Sequence, residues 1–280
     1  MTGHPTFLGI GVQNSGTTWL AGCLQQHPQI CMRTKELHFF DEDKYETNGW
    51  SWYEQHFAPQ PGCRAYGEWT PEYIFNDLAF ERISNDLGQV KIIAVFRNPI
   101  DRVYSHYWRY RSAGFTSLDF FDSLEQHAFF HERSRYSCAW EHYVDRFGAK
   151  NCLPIIFERV KDNPTYDLQR VFRFLGVDDS FQPDVNQVRR NRQRFNRNQT
   201  VIDRLTDLKH KLRGHNMGWL VNCAKLLRVR EGLALANMTR SKYPHRLSSP
   251  ERHAVMHQYF RDDVKQFSRL INDDLSVWDC

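Results

Sequence analysis

The chain has 280 residues, enough for one large α/β domain without requiring a second independent core. Its 37 Lys+Arg against 33 Asp+Glu give a net charge of +4, too small to imply a nucleic-acid partner. No apolar run of about 18 residues marks a membrane span, and the seven cysteines form no Cys-x-x-Cys pair, which excludes a zinc site and a disulfide framework as readings of their spacing. The cysteines are therefore expected to be reduced and, with no export signal at the N-terminus, the protein cytoplasmic.

Phe7, Leu8, Ile10 and Val12 predict a buried strand; Gln13-Asn14-Ser15-Gly16-Thr17-Thr18 follow, and Trp19, Leu20, Cys23 and Leu24 then recur at helical spacing. Such a loop can hold an anion, because the first N–H groups of a helix lack partners and its dipole is positive there. Gly16 permits close backbone approach, and the Ser15, Thr17 and Thr18 hydroxyls add donors. Taken alone, the loop reads equally as an ordinary strand-to-helix turn. Gly11 to Thr18 nearly repeats the ATP-binding loop pattern, but Thr17 stands in place of its lysine. The strand 92–96 also ends in Arg97 rather than in a magnesium-holding carboxylate. The anion is expected to meet protein charge, with no metal.

His27-Pro28 ends the first helix, and Gln29-Ile30 begins a short extended piece. Arg33-Thr34-Lys35-Glu36-Leu37-His38-Phe39-Phe40-Asp41 interleaves titratable groups with aromatics, as a site lining or as a surface segment whose rings fill a gap. Residues 45–57, with Trp50, Trp52 and Tyr53, read as a short helix and loop. A strand is predicted at 65–68, a helix at 77–87, a buried strand at 91–96 and a helix opening at Pro99. Helices at 120–130 and 135–147 and a strand at 153–157 follow, then a helix carrying Leu168, Val171, Phe172 and Leu175 that Gly176 closes. Residues 185–247 read as irregular and basic, with helical patches at 201–212 and 219–227. Ser248-Ser249-Pro250-Glu251 is a capping box before a last helix with Met256, Phe260, Val264, Phe267 and Ile271 on one stripe. Strands alternating with helices predict a parallel sheet covered on both faces.

Four segments occur in order: Ser15-Gly16-Thr17-Thr18-Trp19-Leu20, Lys35 to Asp41, Gly67-Glu68-Trp69-Thr70-Pro71-Glu72-Tyr73, and Arg97 to Tyr107. This set resembles the sulfotransferase family that uses 3′-phosphoadenosine 5′-phosphosulfate, in its bacterial and heparan-sulfate-type branch, over nearly the whole chain. The resemblance implies a three-layer, P-loop-like α/β fold, a central parallel sheet flanked by helices, in one domain over residues 1–280. It implies transfer of a sulfuryl group to a hydroxyl or amine of a carbohydrate or small-molecule acceptor, without metal or nucleic acid. Ser15, Gly16, Thr17, Thr18 and Trp19 would surround the 5′-phosphosulfate, with Trp19 near the adenine, and Arg97 and Ser105 would bind the 3′-phosphate. Tyr136 falls where the family often touches the nucleotide, the alternative being a half-buried tyrosine at a helix start, and Arg240 and Lys242 match a C-terminal phosphate-contacting loop. Glu36 corresponds to the general base; His38 is the second candidate, as base or as acceptor-orienting group, and Asp41 would hold Lys35, His38 or the acceptor.

Two family cations are missing. Gln13 and Asn14 stand where basic residues precede the loop, and Trp69 stands where the heparan-type pattern has a lysine. Losing one transition-state donor costs on the order of 100- to 1000-fold in rate. Either Lys35 or Arg33 brings the charge, with the Gln13 and Asn14 amides donating hydrogen bonds, or the protein is a catalytically weak nucleotide-binding relative. Trp50, Trp52, Tyr53 and Trp69 are candidate stacking surfaces for the acceptor, or core, and the basic run at 189–197 is a candidate contact for an acidic one.

Overall fold

The computed structural model describes residues 3–188, 195–196, 238–239 and 246–279. Contacts divide the chain into two compact units, one of Met1–Arg102, Arg135–Asn191 and Met256–Cys280, the other of Val103–Ser134 and Arg192–Val255.

In the first unit the strands are β1 (Phe7–Gly11), β2 (Ile30–Cys31), β3 (Ala65–Trp69), β4 (Lys91–Phe96) and β5 (Cys152–Ile156), mostly apolar, with Glu68 an exception on β3. All pair in parallel, in the order β2-β3-β1-β4-β5. Successive side chains of a strand point to opposite faces, so a strand buried on both sides is apolar throughout. Leu8, Ile10, Ile92, Ala94 and Phe96 join one core with Ile83, Trp140, Tyr143 and Phe267. Phe7, Ile93, Val95 and Ile155 join the other with Leu20, Leu24, Val171 and Phe172. Helices Asp77–Asp86, Ser137–Phe147 and Arg261–Ile271 thus cover one face, and α1 (Thr17–Leu24) and Pro164–Leu175 the other. This is the three-layer α/β fold expected from the sequence.

Because β1 lies between β3 and β4 and all three run the same way, the segments that follow them leave the sheet along one edge. The chain winds to one side of β1 and then to the other, and open α/β sheets hold ligands outside the carboxyl ends of strands at such a reversal. Close approach of β1 to β3 depends on Gly9, where an added Cβ would lie 2.0 Å from the Trp69 ring.

Several elements depart from the sequence expectation. The helix expected over 120–130 is two, Phe120–Gln126 and Phe129–Glu132, divided at His127, which takes an extended conformation. Residues 45–57 hold helical turns at Lys44–Thr47, Gly49–Glu54 and Gln55–Phe57. The capping box forms, with the Ser248 N–H donating to Glu251 at 2.7 Å, but a π-helical turn at Met256–Phe260 interrupts the last helix. Its extra residue shifts the buried positions to Val255, Phe260, Asp263 and Phe267. Asp263 then accepts the Tyr136 and Ser137 N–H groups at 2.7 and 3.1 Å, satisfying the start of helix Ser137–Phe147 from across the fold. In the second unit, Phe195–Asn196 pairs antiparallel with Met238–Thr239 inside the stretch read as irregular. The helical patches at 201–212 and 219–227 lie outside the described residues.

The expectation of reduced cysteines is overturned for one pair: Cys31 and Cys63 form a disulfide, with Cα atoms 5.8 Å apart. The pairing follows from the register of β2 on β3, Ile30 opposite Ala65, which joins residues 32 apart in sequence and is not encoded in local spacing. Cys23, Cys138 and Cys152 are free. Disulfides persist in oxidising compartments, so the cysteines no longer argue for the cytoplasm. No helix among the described residues is long and apolar enough to cross a membrane.

Gly9→Ala is expected to lower stability by about 1–3 kcal/mol through overpacking against Trp69, read from urea unfolding, whereas an unchanged midpoint would show that the strands have room to part.

Candidate functional site

Beyond β1 the Val12 N–H donates to the Val95 carbonyl at 2.9 Å, and the chain then leaves the sheet. The turn that follows uses the left-handed region at Asn14 (φ 70°) and Gly16 (φ 88°). Asparagine tolerates that region better than most side chains. At Gly16 a Cβ would lie 2.5 Å from the Phe157 ring, so only glycine fits. Gly16 caps α1 without a side-chain hydrogen bond, and no acidic residue occupies the first turn, so the helix itself supplies no counter-charge to its positive end.

Two guanidinium groups hold this loop from β4 and the helix Pro99–Ser112. Arg97 donates from Nη1 to the Asn14 carbonyl at 3.0 Å and lies over the Phe157 ring at 5.4 Å. Arg102, fully buried, donates from Nε to the Gln13 carbonyl at 3.2 Å. Asn14 Nδ2, Ser15 Oγ and Arg97 Nε are buried without a hydrogen-bond partner among the described residues. Each buried orphan costs about 1–3 kcal/mol. Donors left without partners beside a helix start that has no side-chain cap are the chemistry that an acceptor-rich anion such as a phosphate would complete. Gln13 turns away instead, donating from Nε2 to Glu72 at 2.5 Å. Thr17 is buried, and Trp19, partly buried, packs on the core beneath α1.

The segment after β2 approaches the same loop. Lys35 Nζ donates to the Thr18 hydroxyl at 3.1 Å and also contacts Glu36 Oε1. Glu36 Oε2 lies 4.0 Å from His38 Nε2, and His38 Nδ1 lies 2.9 Å from Asp41 Oδ2. Cation, carboxylate, imidazole and second carboxylate therefore form one chain ending at the start of α1. The hydrogen bond to Asp41 raises the His38 pKa above its ordinary value; partial burial opposes this, and the charges of Asp41, Glu42 and Glu36 add to it. Arg33 points elsewhere, towards the Gln60 amide oxygen at 3.0 and 3.1 Å.

Tyr136, read from the sequence as a nucleotide contact or a half-buried tyrosine at a helix start, is fully buried. Its hydroxyl donates to the Arg97 carbonyl at 2.8 Å, which places it behind Arg97. Ser105 is buried on the helix Pro99–Ser112, in the second unit. Arg240, Lys242 and most of the 189–197 run lie outside the described residues. Trp69 and Tyr53 are fully buried, one in each core, and are core rather than stacking surface, whereas Trp50 and Trp52 are partly buried and pack against one of the cores. Sequence reasoning passed over Arg102, five positions after Arg97, and Glu68; the available signal for Glu68 was a carboxylate inside a strand buried on both faces.

Residues 5–215 match the family model of the sulfotransferase domain. The chain belongs to the sulfotransferase family. It is 38% identical over 107 residues to the membrane-associated sulfotransferase kil1 of Dictyostelium discoideum, covering 37% of this chain and 22% of that protein. It is 30% identical over 185 residues to human heparan sulfate glucosamine 3-O-sulfotransferase 6, covering 62% of this chain and 52% of the relative. The match thus spans about half or less of these curated relatives. A sulfotransferase from Alicyclobacillus acidocaldarius shares the fold, with a TM-score of 0.68 at 22% identity over 98% of both chains.

In this sulfotransferase-family chain, Asp41→Asn should bring the His38 pKa down towards 6.5, followed by NMR titration of the imidazole; an unmoved titration would mean that the two side chains are not in contact.

Proposed function

We propose that the protein is a sulfotransferase, a single domain over residues 1–280, that moves a sulfuryl group from 3′-phosphoadenosine 5′-phosphosulfate to a hydroxyl or amine of a carbohydrate or small-molecule acceptor. The observation that carries this reading is the position of Lys35, whose ammonium joins the Thr18 hydroxyl at the start of α1 to the Glu36 carboxylate. The cation missing at Asn14 and Trp69 is supplied from the neighbouring segment. This favours an enzyme over a catalytically weak nucleotide-binding relative.

The donor's phosphosulfate would lie on the loop, with Asn14, Ser15, Gly16, Thr17 and Thr18 around it, Gln13 at its edge and Trp19 beside the adenine. Arg97 would meet the 3′-phosphate with Ser105, since a guanidinium forms charge-assisted bonds to phosphate. Tyr136 would act from behind by fixing the Arg97 backbone. Arg240 and Lys242 are the proposed C-terminal contacts. The acceptor oxygen or nitrogen attacks sulfur in line; the bond from sulfur to the bridging phosphate oxygen breaks, and its electron pair departs with adenosine 3′,5′-bisphosphate. Glu36 takes the acceptor's proton, and His38, oriented by Asp41, holds the acceptor or relays that proton. Lys35 stabilises charge on the departing phosphate. A carbohydrate acceptor is supported by the names of the heparan sulfate relatives.

The test is transfer of radiolabel from the donor to a panel of hydroxylated and amino acceptors. The parent protein should transfer label, and Lys35→Ala should lose about 100- to 1000-fold in turnover while still binding adenosine 3′,5′-bisphosphate. Full turnover by Lys35→Ala contradicts the role of that cation, and tight nucleotide binding with no transfer to any acceptor favours the binding relative.

A further inference from the structure

Glu68 sits on β3 with no exposed surface, and all four of its hydrogen-bond donors are neutral. Oε1 accepts from the Tyr73 hydroxyl at 2.7 Å and the Tyr53 hydroxyl at 3.4 Å. Oε2 accepts from the Thr70 hydroxyl at 2.6 Å and the Leu37 N–H at 3.5 Å. A hydroxyl that gives its only proton to a carboxylate has lone pairs left for other donors. Those are taken by the next three amides of the Glu36 segment: the His38 N–H donates to Thr70 Oγ1 at 3.3 Å, and the Phe39 and Phe40 N–H groups to the Tyr73 hydroxyl at 3.1 and 3.5 Å. Four consecutive main-chain donors therefore end on one carboxylate and the two hydroxyls that it orients. Within this run His38 holds φ at 51°, a conformation that few residues other than glycine adopt unless their surroundings impose it.

We infer that Glu68 is a positioning residue for sulfuryl transfer: through Thr70 and Tyr73 it fixes the backbone of residues 37–40, and so the directions in which Glu36 and His38 meet the acceptor. The inference rests on the roles proposed above for those two side chains. A buried carboxylate without a cation is a costly way to fill a core position, and an aliphatic side chain would pack there without that cost. What only a carboxylate supplies is four acceptor sites in one plane.

Burial pushes the Glu68 carboxyl up to about 7; donation from Thr70, Tyr73 and Leu37 opposes the rise, and the negative charge of Asp41 adds to it. Tyr53 and Tyr73, the titratable groups against it, are themselves pushed far up by burial and stay neutral. A carboxyl whose pKa rises on folding binds its proton more tightly in the folded chain. Its contribution to stability is whole below about 4.5, the ordinary value, and is lost as pH climbs through about 7.

Glu68→Gln separates positioning from mere packing. The amide cannot accept four donors, so one hydroxyl must reverse and release its main-chain partners, yet the buried charge is gone. At pH 8 the variant should be as stable in urea as the parent or more so, lack the parent's loss of stability between about pH 4.5 and 7, and bind adenosine 3′,5′-bisphosphate unchanged. Its kcat should nevertheless fall about 100-fold, the scale of a misplacement near 1 Å, with KM for the donor unmoved. Tyr73→Phe should show the same split between kcat and KM. In a Glu36→Gln background, Glu68→Gln should add little further loss, because both act on one segment. Parental kcat in Glu68→Gln beside an inactive Glu36→Gln overturns the positioning role and leaves the proposed base standing. Parental kcat in both Glu36→Gln and His38→Gln overturns the base assignment and this inference with it.

Discussion

The parallel pairing of β1 between β3 and β4 is the constraint from which the site follows. It sends three chain segments out of the sheet side by side: the loop after Gly11, the Thr70–Tyr73 turn after β3, and Arg97 after β4. None of them reaches far. Arg97 touches the Asn14 carbonyl directly, and Thr70 and Tyr73 sit beneath the segment that carries Glu36. Both faces of the sheet are closed by apolar side chains, so polar groups gather where the strands stop.

The surroundings of the loop are consistent with the proposed phosphate site. The loop's carbonyls are occupied by Arg97 and Arg102, and no acidic residue or side-chain cap blocks the start of α1. In the proposed reaction Lys35, from the segment after β2, takes the part of the lysine that this loop lacks, and its ammonium reaches the Thr18 hydroxyl at 3.1 Å. Trp69 on β3 is core, and Gly9 makes the space for the ring. Glycine on one strand and tryptophan on the next form one packing unit.

Much of this was legible before any coordinates. The longer strands are short, mainly apolar stretches bounded by turns, so β1, β3, β4 and β5 fall within a residue or so of their expected ends, and Gly176 ends its helix in the left-handed conformation as read from the sequence. The loop at 13–18 and Arg97 stand out in the sequence as candidates, and the fold brings the Arg97 guanidinium to the Asn14 carbonyl. What escaped depends on contacts distant in sequence. The Cys31–Cys63 link needs the register of β2 on β3, the π turn shifts a stripe that looked regular, and burial of Tyr136 is set by Phe96, Phe267 and Trp278 around it. Glu68 was in view as part of a motif, but its meaning lies in donors that arrive from two other segments.

The central claim is that the loop after β1 and the guanidinium after β4 grip the two phosphorylated ends of one adenosine. Calorimetry with adenosine 3′,5′-bisphosphate and adenosine 5′-monophosphate, on the parent protein and on Arg97→Ala, measures this directly. The parent should favour the bisphosphate by about 10- to 100-fold, as charge-assisted bonds to a second phosphate provide, and Arg97→Ala should erase that preference while still binding the monophosphate. No heat from the bisphosphate, or equal affinity of the parent for both nucleotides, would contradict the account.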